Sequence, residues 1–103
     1  MQDDAKSQLY HALCAAVLKA LPDAWAIYAF GSFANDQERA DSDIDIAILL
    51  PPGAKLTNLL ELKSDLATIA RREVDVADLR SAGNPLHKQV LTSGKLLYSA
   101  SQM

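Results

Sequence analysis

Apolar residues recur along this chain with two different periods, and the switches between them lay out the elements. From Ser7 to Leu21, Leu9, Leu13, Ala16 or Val17, and Leu21 return at spacings of three and four, the period of an amphipathic helix. Pro22 ends it, because the residue before a proline is pushed out of helical backbone. Trp25 to Phe30 is an aromatic-rich apolar run of strand length, broken by Gly31-Ser32. Ser32 to about Gln37 is polar and predicts a turn with one or two helical turns. The period then becomes two. Over Asp43 to Leu50, the residues Ile44, Ile46, Ile48 and Leu50 share one face of a strand. Asp43, Asp45, Ala47 and Leu49 share the other.

Pro51-Pro52-Gly53 breaks the chain again. A second helix is predicted from about Leu59 to Arg71, with Leu59, Leu62, Leu66 and Ile69 as its apolar stripe. Asn58 is placed to cap it, with Glu61 as the return partner of a capping box. Val74 to Leu79 predicts a third strand, in which Val74 and Val76 point one way and Glu73, Asp75 and Ala77 the other. Asn84-Pro85 reads as the start of a last helix and Gly94 as its end. Lys95 to Ser99 is a short strand or an extended tail. Helices and strands in this order predict an α/β (α+β) domain over residues 1–103, with a small mixed β-sheet and helices on one face.

Composition narrows the class. Half of the 103 residues are hydrophobic, enough for one core without covalent staples. The net charge of −3 argues against broad binding to nucleic acid or to an anionic membrane surface. Cys14 is the single cysteine, so no internal disulfide is possible, and a cytoplasmic protein is expected. The acidic N-terminus lacks the basic region of a signal peptide, and no apolar run approaches a membrane span.

The aspartates carry the candidate chemistry. Strand interiors select against aspartate, yet Asp43 and Asp45 stand side by side on one strand face and Asp75 lies within another strand. If those two strands are neighbours, all three carboxylates share one surface, and the small Ala47 and Ala77 leave room there for a ligand. Adjacent carboxylates repel, and a cation relieves them. Mg²⁺ suits such a set because it takes few protein carboxylates and keeps positions for water and phosphates. Two ions would clamp the attacking and leaving oxygens of a phosphoryl displacement. Asp75 is the candidate to draw a proton from the attacking hydroxyl. Gly31 lets the backbone approach a ligand closely, and the Ser32 hydroxyl can donate to a phosphate oxygen. Ser42 starts the strand and can orient Asp43.

Gly31-Ser32-Phe33-Ala34, then Asp43-Ile44-Asp45 and a third aspartate in Val74-Asp75-Val76, resembles the signature of the DNA polymerase beta-type nucleotidyltransferase superfamily. The short length and the ending Val74 to Arg80 resemble its minimal nucleotidyltransferase subgroup. The resemblance covers Trp25 to Tyr98 and implies a nucleotidyltransferase-like fold. It also implies an antitoxin that transfers AMP from ATP to a tyrosine of a HEPN-domain ribonuclease toxin, releasing pyrophosphate. Carried over, Gly31, Ser32 and Ser42 lie on the nucleotide side, and Asp43, Asp45 and Asp75 hold Mg²⁺. The chain departs from the pattern at Asn35-Asp36, where many relatives carry a basic residue and a glycine; Arg39 is a basic candidate on the same loop.

Plainer readings stand beside these. Aspartates also blunt strand edges, Asp41 suits a solvated turn, and Asp78 falls on the Val74/Val76 side by parity. His11 and His87 lack a cysteine or histidine cluster, Cys14 reads as a small core residue, and Trp25, Tyr28 and Phe30 as core and sheet-face residues. Arg71-Arg72 suits a helix C-terminus. Two other functions remain: a non-catalytic antitoxin that covers its partner, and a small-molecule nucleotidyltransferase, which usually needs more chain to enclose its acceptor.

Overall fold

The computed structural model describes residues 3–31, 43–56, 58–80, 88, 90, 92 and 94–100. Helix α1 spans Asp3–Ala20, followed by β1 (Ala26–Phe30), β2 (Ile44–Leu49), α2 (Leu59–Ala70), β3 (Val74–Asp78) and β4 (Lys95–Ser99). Lys88, Val90 and Thr92 are also helical. The strands form one sheet in the order β3-β2-β1-β4. β1 runs antiparallel to both β2 and β4, and β2 runs parallel to β3, so the sheet is mixed as expected. The crossover between the two parallel strands is α2.

The period-two pattern of β2 decides which way the sheet faces. Ile44, Ile46 and Ile48 are fully buried in one cluster with Leu13 and Val17 of α1 and Leu62 and Leu66 of α2. Each such side chain contributes about 1.5–3 kcal/mol relative to exposure. Cys14 lies in the same cluster, and burial pushes its thiol up to about 11, the behaviour of a core residue.

The opposite face is only partly open. Ala47, expected to leave room for a ligand, is fully buried in a second cluster with Leu79 and Val90, flanked by Tyr28, Phe30 and Leu49. A methyl-sized side chain in mid-sheet is what lets Leu79 and Val90 settle there. Among the described residues, Asp45 and Asp75 lie on this face near the end at which β2 begins.

Two expectations at the helix layer are corrected. Asn58 does precede α2, but at φ 55 and ψ 41 its backbone is left-handed, and its side chain makes no capping bond. Side-chain capping needs extended backbone at that position; the Asn58 carbonyl still accepts the first helical bond, from the Leu62 N–H at 3.0 Å. Ile69 is not core: it is 39% exposed and lines the groove between α1 and α2 with Ala16 and Ala20. Trp25 departs from its expected place as well. Its backbone bonds to Leu49 and Ala100, both at 2.8 Å, while its side chain stays 48% exposed.

Arg71 ends α2 at φ 59, donating its N–H to the Ala67 carbonyl. That left-handed position favours glycine. Arg71→Gly is expected to stabilise the chain by about 0.5–1 kcal/mol, read as a raised urea midpoint at unchanged slope.

Candidate carboxylate site at the start of the second strand

Strand register brings the aspartates together. β2 and β3 pair with Asp45 opposite Asp75 and Ile44 opposite Val74. Because Ile44 and Val74 are buried on the helix side, both aspartates stand on the other side of the sheet. Asp43 lies one residue before β2 and two before Asp45, which places it on that same side. It is exposed, as is Asp75, whereas Asp45 is half-buried. The condition set by the sequence, that the second and third strands be neighbours, is met.

Asp45 is the pivot of the group. It pairs across the sheet with Phe30, whose ring belongs to the second apolar cluster. Burial is the largest cause that raises its pKa, followed by the charge of Asp75 and then that of Asp43. Both effects disfavour its charged form, and a cation would relieve the second.

Gly31 closes the site from the β1 end. It has φ +84, and a Cβ built on it would fall on Asp45 Oδ2. The backbone of Gly31 is thus pressed against the carboxylate, an approach open only to glycine. Ser32 and Ser42 lie outside the described residues, as do Asn35-Asp36, Arg39, Asp41 and His87.

Asp78 is not part of the group. It accepts the Arg80 backbone N–H at 2.9 Å and the Arg80 guanidinium at 3.2 and 2.9 Å. Those bonds hold its carboxyl below the usual carboxylate range. Arg80 also donates to the Pro51 carbonyl at 2.9 Å, tying the far end of β3 to the turn after β2.

Sequence reasoning missed Lys63. Its ammonium lies 3.6 Å from Asp75 Oδ1. No local pattern marks it, since a lysine on a helix is ordinarily a solvated residue.

The donor set suits a hard divalent cation. All three groups are carboxylates, they repel one another at Asp45, and two of them are exposed. Among the described residues, no three or more His, Cys, Asp or Glu side chains are gathered closely enough to hold a metal ion by themselves. Ligation would thus draw on the freedom of Asp43 and Asp75 and on water and phosphate oxygens, as Mg²⁺ does. Among the described residues, no helix is long and apolar enough to cross a membrane.

Comparison with known proteins bears on this geometry. Residues 14–103 match the family described as polymerase beta, nucleotidyltransferase. The chain is 39% identical over 82 residues to the protein adenylyltransferase MntA of Shewanella oneidensis, covering 80% of this chain and 59% of that protein. The chain therefore spans less than two thirds of that relative's length. A toxin–antitoxin crystal structure with AMP-PNP superposes with a TM-score of 0.80 at 36% identity, covering 90% of this chain and 75% of that chain. A complex of tri-AMPylated Shewanella oneidensis HEPN toxin with MNT antitoxin gives 0.74 at 34% identity, covering 92% and 73%.

Proposed function

We propose, since this chain belongs to the polymerase beta nucleotidyltransferase family, that it is a protein adenylyltransferase acting as an antitoxin. Its reaction is transfer of AMP from ATP to a tyrosine hydroxyl of a HEPN-domain ribonuclease partner. The observation that carries this reading is the register that sets Asp45 against Asp75, with Asp43 beside them and Gly31 backed onto Asp45. The name of the Shewanella relative and the AMPylated toxin in the similar complex support the same chemistry.

Asp43 and Asp45 are the residues that would hold Mg²⁺, and Asp75 would join them at a second ion. When bound, the metal supplies charge neutralisation for the triphosphate and for the developing negative charge. Gly31 backs its main chain onto the Asp45 carboxylate, and the Ser32 hydroxyl donates to a phosphate oxygen. Ser42 orients Asp43. The tyrosine oxygen bonds to the α-phosphorus, the α–β bridging P–O bond breaks, and pyrophosphate leaves with that electron pair. Asp75, exposed at the sheet edge, takes the phenolic proton. The half-buried Asp45 is set in place by Phe30 and Gly31 and needs no further ordering in the reaction.

Co-expression with a HEPN-domain ribonuclease as candidate partner tests the reading. The partner is expected to gain the mass of one or more AMP groups, and sub-stoichiometric amounts of this chain are expected to protect cells. Protection only at equimolar amounts, with an unmodified partner, would establish the covering antitoxin instead.

A further inference from the structure

Lys63 reaches a carboxylate on the far side of the sheet from its own helix. Its neighbours Leu62 and Leu66 are buried on the helix side, together with Val74. Asp75 points to the opposite side. β3 is an edge strand, so the lysine stem passes round that edge to set its ammonium 3.6 Å from Asp75 Oδ1. This gives Asp75 a cationic partner supplied by α2, while Asp45 has the charges of Asp75 and Asp43 against it.

We propose that Lys63 is a positioning residue that acts as an internal cation at the second metal position, holding the Asp75 carboxylate aimed until the nucleotide brings an ion there. The inference rests on the carboxylate-site reading above. An ammonium within ion-pair distance competes with a divalent ion for the same oxygen. In the nucleotide-free chain the first ion is therefore left to Asp43 and Asp45, and Asp75 stays in place as a proton acceptor. The pair is half-exposed, 37% for the lysine and 57% for the aspartate. Its strength is accordingly modest, which suits a contact that has to yield.

The test is Mn²⁺ affinity of the nucleotide-free chain, read from the signal of free Mn²⁺ by electron paramagnetic resonance. Lys63→Met keeps the apolar stem and removes the charge. It is expected to bind Mn²⁺ about two- to fivefold more tightly than the native chain, the scale of a half-exposed ion pair. Lys63→Arg, which keeps the charge, is expected to bind as the native chain does. The melting temperature of the metal-free Lys63→Met chain is expected to match that of the native chain. Unchanged or weaker Mn²⁺ binding in Lys63→Met, with native binding that Asp45→Asn removes, overturns this inference alone. A native chain that binds no Mn²⁺ overturns both it and the metal site.

Discussion

Asp45→Asn is expected to cut AMP transfer by about 10²- to 10³-fold, because the metal's charge stabilisation is worth several kcal/mol. The substitution keeps the size of the side chain and removes one anionic ligand. The same argument applies to Asp43→Ala, but Asp45 is the more informative position because it is half-buried between Gly31 and Phe30. The fold has no use for that charge. Burial and the two neighbouring aspartates raise the Asp45 pKa, so the native state holds its proton more tightly than the unfolded chain does. Between the ordinary aspartate value and the raised one, the unfolded chain has lost a proton that the native chain keeps. Stability of the metal-free protein therefore falls as pH rises through that window. Urea unfolding in chelator is expected to show this fall in the native chain and its loss in Asp45→Asn, with Asn at least as stable above the window. Full transfer activity in Asp45→Asn, or a large loss of stability at neutral pH, would sink the metal-ligand assignment.

Gly31→Ala is expected to damage both fold and activity. Two costs arise at one atom. At φ +84 any L side chain is strained, by about 1–2 kcal/mol. The added methyl would also fall on Asp45 Oδ2, and neither element gives easily, since β1 and β2 are paired rung by rung from Ala26–Leu49 to Phe30–Asp45. A loss of about 2–3 kcal/mol in stability is expected from strain and overpacking together. If Asp45 turns aside instead, stability recovers and metal affinity falls. Chemical unfolding combined with Mn²⁺ titration separates the two results. A variant with native stability and native metal affinity would show that the close approach has no consequence.

Among the described residues, the two glycines at positive φ show how far local pattern reaches. Gly53, at φ +88, follows Pro51-Pro52, and the Ala54 N–H bonds to the Pro51 carbonyl at 3.1 Å. Such a turn is legible from four consecutive residues. Gly31 was legible as a break after a strand; what it touches was not, because Asp45 comes from another strand. The cap at Asn58 failed for a related reason: residue type suited a cap, but the observed left-handed backbone rules one out.

The residue pattern alone sets the strand and helix periods, the Ile44/Ile46/Ile48 face and the placement of Asp43 beside Asp45. It does so because side-chain direction along a strand follows from the period of two alone. It also places Asp78 apart from the group, by the same parity. Folding of the whole chain is what makes β2 and β3 neighbours in the register Asp45–Asp75, covers Ala47 with Leu79 and Val90, and brings Lys63 to Asp75 round the sheet edge. These contacts join residues from separate elements, and the pairing of elements is set by burial of the whole core rather than by any segment's own pattern.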